Sequence, residues 1–162
     1  MKVFFILCFL VGMSFQYDLN KDMKSKHDKF RSNHRVKSLK IDQTLVSYAE
    51  GCSKFYADQG ENDHNCTEAQ AYGENLAWAM TSNGPPPEQD AAKKAFNSWI
   101  AEENYYNYDT GKPHDKSLQT GHFTQVAWKG TKKIGCGTSE NDEQKRTYTC
   151  CLYDPPGRHQ FN

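Results

Sequence analysis

Apolar and polar positions recur along this chain with two different periods, and each period predicts a different kind of element. Leu45, Tyr48, Ala49, Cys52 and Tyr56 fall at i, i+3, i+4, i+7 and i+11, one continuous stripe of a helix that Asp42 is placed to cap. From Gln89 the helical period returns, with Ala92, Ala95, Phe96, Trp99 and Ile100 on one face and charges on the other. The polar stretch Met23 to His34 reads as a first helix. Towards the C-terminus the signature changes to that of strands. His122 to Trp128 (HFTQVAW) is rich in β-branched and aromatic residues, Lys133 to Thr138 is a second short strand, and Lys145 to Tyr153 alternates as a third. The polar run SENDEQ supplies the hairpin turn between the last two. Gly60 to Ala71 is a polar loop, Tyr72 to Met80 is apolar, and the three prolines of SNGPPP forbid regular structure after it. Tyr105 to Thr120 reads as a long surface excursion.

Helices followed by antiparallel strands predict an α+β chain in which helices are layered on a small sheet. Ahead of this pattern, MKVFFILCFLVGMSFQ places one lysine before an apolar run and then small or polar residues, the layout of a secretory signal peptide. Residues 1–16 are therefore expected to be removed, leaving 17–162 as a single secreted domain. The run is shorter than the roughly 20 apolar residues a spanning helix needs, and the mean hydropathy of −0.90 predicts no transmembrane segment. Lys plus Arg and Asp plus Glu are 20 each, and loss of Lys2 leaves one negative charge in excess, so no basic field for nucleic acid is expected.

Cys8 leaves with the signal, and five cysteines remain: Cys52, Cys66, Cys136, Cys150 and Cys151. An odd number in an oxidising compartment leaves one thiol over. Neighbours in a strand point to opposite faces, so only one of Cys150 and Cys151 can readily meet Cys136 across the hairpin. Asn65-Cys66-Thr67 is an N-glycosylation sequon.

Three segments in order, GENLAWA at 73–79, GHFTQVAWKGTKKIGCG at 121–137 and CLYDPPG at 151–157, with a weaker HDKFR at 27–31, resemble the signatures of the cysteine-rich secretory, antigen five and pathogenesis-related (SCP) family. Within it, GENLAWA and KGTKKIG are most similar to the animal Golgi-associated plant-pathogenesis-related group, whereas the signal peptide and cysteines are similar to secreted relatives. Leu152 and Arg158 depart from the pattern, where a polar residue and an asparagine are usual, and this puts the edge at the end of the last strand in doubt. The resemblance implies a three-layer αβα sandwich with a small antiparallel sheet and a cleft holding two histidines and two glutamates. These carry over to His64, Glu74, Glu102 and His122; Glu102 is preferred to Glu103 because it lies at i+3 from Trp99. The family's Cys-x-Tyr spacing assigns the hairpin bridge to Cys136 and Cys151. Cys52 and Cys66 are then expected to pair, leaving Cys150 odd, with a Cys66–Cys150 bridge as the competing arrangement.

Two imidazoles and two carboxylates can bind a divalent metal, move protons, or hydrogen-bond one another. Imidazole favours zinc-like ions over magnesium, so weak Zn2+ binding by His64 and His122 is the expected cofactor chemistry. Nearby carboxylates favour protonated imidazole, so occupancy should weaken in acid. Catalysis would need a nucleophile or a tightly held metal, and no motif places one; Ser98 and Ser117 read as surface hydroxyls. His27, His34, His114 and His159 lie in polar surroundings and are expected to be solvated. Tyr105, Tyr106 and Tyr108 are similar in place to a sterol-contacting loop of some relatives, although the charges around them favour core-anchoring tyrosines. The leading expectation is a secreted, non-enzymatic binding protein whose partner is an extracellular protein or a lipid or sterol. The alternative is a metal-dependent hydrolase, a protease, using the cleft tetrad.

Overall fold

The structure, a computed structural model, describes residues 16–157; the expected signal segment up to Phe15, Arg158 and His159 lie outside the described residues. The elements are α1 (Leu19–Asn33), β1 (Lys40–Ile41), α2 (Gln43–Gln59), a 3-10 turn (Thr67–Ala69), β2 (Gly73–Met80), α3 (Glu88–Ala101), a second 3-10 turn (Glu102–Tyr105), β3 (Tyr106–Asn107), β4 (Lys112–Pro113), α4 (Gly121–Val126), β5 (Lys133–Asn141) and β6 (Arg146–Asp154). Four strands form one sheet in the order β1-β5-β6-β2, and β3 pairs with β4 in a separate ribbon. The β5–β6 and β6–β2 pairs are antiparallel; the two-residue β1 is parallel to β5.

β6 shows why the chain makes three layers. Its residues are buried from Thr147 through Tyr153, because alternate side chains serve opposite cores. Tyr148, Cys150 and Leu152 join Leu45, Ala49, Cys52 and Tyr56 of α2 on one face. Cys151 and Tyr153 join Met23 of α1, Ala95, Phe96 and Trp99 of α3, and Val126 of α4 on the other. Leu152, the departure from the family pattern, is thus fully buried under α2 in a central strand, and the expected doubt about an edge is corrected.

Helix α2 lies unusually close to the sheet. A Cβ at Gly135 would fall 2.2 Å from the Val46 backbone nitrogen, and one at Gly137 2.4 Å from that of Glu50. Both obstacles are helix backbone, which cannot swing aside. Gly137→Ala is therefore expected to cost about 1–3 kcal/mol as an overpacking defect, read as a lowered urea midpoint; a midpoint unchanged from wild type would show that α2 is free to move.

Several expectations change. The stripe of α2 holds except at Tyr48, which is 37 % exposed, its place in the core taken by Val46, Ser53 and Ala57. The predicted strand at 122–128 is instead helix α4. Its first turn is capped from another part of the chain: the Glu102 carboxylate accepts hydrogen bonds from the backbone N–H groups of His122 (2.9 Å) and Phe123 (3.1 Å). Tertiary capping overrides the β propensity of HFTQVAW. SENDEQ shortens to a tighter turn, since β5 continues to Asn141.

His27 and His34 are not solvated either. His27 is completely buried, its Nδ1–H donating to the Met23 carbonyl and its Nε2 accepting from the Tyr153 hydroxyl, both at 2.8 Å. His34 meets the Phe30 carbonyl at 2.9 Å and Glu103 at 2.9 Å. His114 remains exposed.

Candidate functional site

The cleft is built around the edge strand β2. Successive residues of a strand face opposite ways, and Glu74 and Asn75 use this to serve the two halves of the site. Glu74 turns to the α2 side, where its carboxylate accepts from His64 Nδ1 (2.5 Å), from the Tyr56 hydroxyl (3.0 and 3.2 Å) and from the Cys150 thiol (3.4 Å). Asn75 turns to the α3 side and donates to the His122 carbonyl at 3.1 Å.

His64 reaches Glu74 from a short polar loop. α2 stops at Gly60, whose φ of 74° provides the left-handed C-cap, and His64 itself has φ 61°. The loop is fixed beyond it by the Cys52–Cys66 disulfide, Cα–Cα 5.5 Å, and by Cys66 N–H donating to the Tyr56 hydroxyl at 3.1 Å. Gln70 Nε2 holds the His64 carbonyl at 3.2 Å. One hydroxyl, that of Tyr56, thus links the disulfide loop to the cleft carboxylate.

His122 opens α4 and leans on Glu102 at the end of α3. Its Nδ1 donates to Glu102 Oε1 at 2.6 Å, and the same carboxylate caps the helix. The ring stacks on buried Trp99, with centroids 6.2 Å apart and planes at 25°. Glu103, the competing neighbour, takes His34 and the Tyr108 hydroxyl instead (2.6 Å for the latter). The structure therefore separates the adjacent glutamates into two distinct His–Glu pairs, one in the cleft and one behind it.

The two cleft imidazoles face each other, with centroids 6.5 Å apart and planes at 31°. In both, Nδ1 is committed to a carboxylate, which leaves Nε2 as the free nitrogen. This is the arrangement in which a carboxylate orients an imidazole for a metal. The separation lies beyond the roughly 5–6 Å at which two imidazoles share one zinc with bonds of about 2.0–2.1 Å, so the rings would have to draw closer before both could ligate one ion. Among the described residues, the one group of three ligand-type side chains with ligand atoms mutually within 4.8 Å is Cys52, Cys66 and Glu68. Its sulfurs are joined in the disulfide and offer no thiolate, so it is no metal centre.

The hydrogen bond to Glu74 raises the His64 pKa above the ordinary histidine value, against an opposing pull from desolvation. His34 is likewise raised: desolvation pulls it down, but the Phe30 carbonyl and Glu103 outweigh it. Burial pushes the Cys150 thiol well above its usual pKa, with Glu74 adding to the effect. Cys150 is the unpaired cysteine, and Cys136 is joined to Cys151 directly across the β5–β6 ladder. The competing Cys66–Cys150 bridge is absent among the described residues.

Of the remaining expected site residues, Asn65 is exposed, its Nδ2 donating to Asp63 at 2.6 Å. Ser98 donates to the Ala95 carbonyl and Ser117 to Asp115, and neither hydroxyl bonds to an imidazole. Tyr106 packs against buried Phe123 (centroids 5.2 Å), while Tyr105 and Tyr108 are exposed. Sequence reasoning missed Tyr56 as the support of Glu74, Trp99 as the floor under His122, and Asn75 as its backbone anchor. Tyr56 and Trp99 were visible only as members of apolar stripes; Asn75 stands inside the GENL segment.

Known proteins resemble the chain over most of its length. The chain is 33% identical over 125 residues to pathogenesis-related protein PR-1 of Medicago truncatula, covering 76% of this chain and 66% of that one. It is 31% identical over 163 residues to pathogenesis-related protein 1 of Arabidopsis thaliana, covering 98% and 92%. Among solved structures, that of NaASP2 with Zn2+ superposes with a TM-score of 0.66 at 22% identity, over 93% of this chain and 85% of that one; at this identity the likeness speaks for the fold. Residues 24–153 match the family described as CAP, the cysteine-rich secretory protein family, and with its three layers and paired His–Glu cleft the chain belongs to that family.

Proposed function

We propose that the protein is a secreted, non-enzymatic binding protein whose cleft takes a zinc-like cation weakly through His64 and His122, with Glu74 and Glu102 orienting the imidazoles. The observation that carries this reading is the facing pair of imidazoles, each with Nδ1 on a carboxylate and Nε2 left free. A relative solved with Zn2+ lends support, and two disulfides suit an oxidising compartment. When bound, the ion would act as a Lewis acid toward an anionic or carbonyl ligand group. The chain's own part is to hold the rings still: Glu74 is fixed by Tyr56, and His122 is fixed by Trp99 and by the cap that Glu102 places on α4.

The hydrolase reading draws less support, because it needs an ion held tightly enough to activate water, and among the described residues the cleft offers only two imidazoles, 6.5 Å apart between centroids, to hold one. Lipid contact through Tyr105, Tyr106 and Tyr108 is likewise a weaker reading, since Tyr106 alone keeps the expected core anchor, packed on Phe123, and leaves only Tyr105 and Tyr108 exposed. Asn65, exposed beside His64, is the proposed glycan site. Calorimetry with zinc tests the main reading. Wild type should give a saturable heat at neutral pH that weakens in acid as the imidazoles protonate, and the His64→Ala/His122→Ala double variant should give none. Equal heats from the two proteins would end the claim.

A further inference from the structure

The chain is neutral as a whole, yet four of its unpaired lysines gather on two adjoining segments, and one buried residue brings those segments together. Arg31 of α1 is fully buried, and its guanidinium bonds to carbonyl oxygens alone: Lys37 (2.8 Å), Val126 (2.8 Å), Trp128 (3.0 Å) and Thr131 (3.0 Å). It thereby draws the segment after α1 against the segment after α4. The backbone bond from Lys40 N–H to the Lys132 carbonyl, 2.9 Å, continues the seam.

Both segments carry exposed lysines at this seam: Lys37 and Lys40 on one side, Lys129 and Lys132 on the other. None of the four has a carboxylate partner among the described residues. The acids nearby are already engaged. Asp42 and Asp154 lie on Lys133, and Asp28 pairs with Lys24 and accepts the Leu39 N–H. Glu140, Asp142 and Glu143 stand at the far end of β5 with Lys145 and Arg146, about 26 Å from Lys133 at the usual rise per residue, too far to neutralise the seam.

We propose that this face is a binding site for a linear sulfated polysaccharide, its sulfate groups held by Lys37, Lys40, Lys129 and Lys132. The site is independent of the cleft. Four unpaired ammonium groups over a buried guanidinium favour a polyanion, and the surroundings choose among polyanions. None of the large exposed apolar side chains, Tyr48, Phe55, Trp78, Met80, Tyr105 and Tyr108, belongs to the seam segments. A membrane site would call for such groups to enter the interface, and single-stranded nucleic acid would call for aromatic platforms. A hydrated, flexible chain of fixed sulfates needs neither.

Heparin is the probe. At about 0.15 M salt, where surface charges act over about 8 Å, wild type should be retained on immobilised heparin despite its lack of net positive charge. The Lys37→Ser/Lys40→Ser/Lys129→Ser/Lys132→Ser variant should flow through, while Lys93→Ser/Lys94→Ser, altered at exposed sites on α3, should elute with wild type. The slope of log affinity against log salt should fall by about three to four in the seam variant. All substituted lysines are exposed, and far-ultraviolet circular dichroism checks that each variant folds. Wild type in the flow-through, co-elution of the seam variant with wild type, or equal retention on a sulfopropyl resin overturns the proposal. So does tighter binding to single-stranded DNA or to phosphatidylserine vesicles than to heparin.

Discussion

Arg31→Leu is expected to lose about 3–5 kcal/mol of folding stability, measured by urea unfolding at neutral pH. Leucine keeps part of the apolar stem and removes the fork. It removes the guanidinium donor from four carbonyl oxygens, those of Lys37, Val126, Trp128 and Thr131, of which only that of Trp128 keeps a second donor among the described residues, the Thr131 N–H at 3.2 Å. Each buried acceptor stranded in this way costs about 1–3 kcal/mol before relaxation and entering water reduce the sum. Arg31→Lys should fall between, because an ammonium supplies charge but cannot reproduce a planar fork spread over several acceptors. A loss under about 1 kcal/mol for Arg31→Leu would show that the two segments are held by packing alone.

The same residue marks the limit of what the sequence discloses. Periodicity finds helices whose partner is the core, and α2 and α3 appear where their stripes put them. It finds β5 and β6 through their β-branched and aromatic residues and the polar turn between them, although a strand with a core on each side is buried without alternation. It fails where a side chain's partner is distant in the chain. HFTQVAW reads as a strand because the donor-rich end of α4 is satisfied by Glu102, twenty residues earlier. His27 reads as solvated because its polar neighbours in sequence lie on the outer face of α1, while its own ring points at Tyr153. Arg31 looks like one more charge in a polar helix, though its acceptors lie up to 100 residues away.

For the cleft, the family resemblance carried over to all four members of the tetrad, and the structure groups them as two His–Glu pairs whose imidazoles face each other. The supports of those pairs were not legible, because Tyr56 and Trp99 satisfy the apolar pattern so well that nothing in the sequence assigns them a second task. The choice between Glu102 and Glu103 was legible in part. Helical phase placed Glu102 nearer the packed face, but nothing local indicated that Glu103 would find a histidine of its own.

His27 carries the second large effect, an acid sensitivity of folding in a window separate from that of the carboxylates. Burial lowers its pKa to about 4, with Arg31 contributing in the same direction and the Met23 carbonyl and Asp28 opposing. In the unfolded chain the ring titrates near 6.5. Between these two values the unfolded state binds a proton that the native state refuses, so stability rises with pH there and falls as the solution is acidified. The full difference corresponds to about 3 kcal/mol, lost progressively from pH 6.5 down to about 4. His64 and His34, whose pKa values are raised, act with the opposite sign: their contribution is complete below 6.5 and is lost as pH rises through their folded values. The depressed carboxylates Asp18, Asp42, Glu103 and Asp115 lose theirs as pH falls through the ordinary carboxylate range, from about pH 5 downward. The interval from 6.5 to about 5 therefore isolates His27. His27→Gln, whose amide can donate to Met23 and accept from Tyr153 without titrating, should be less stable than wild type at pH 7 yet nearly flat across that interval. Urea unfolding at half-unit steps of pH measures both profiles, and parallel curves for the two proteins would assign the acid sensitivity to some other group.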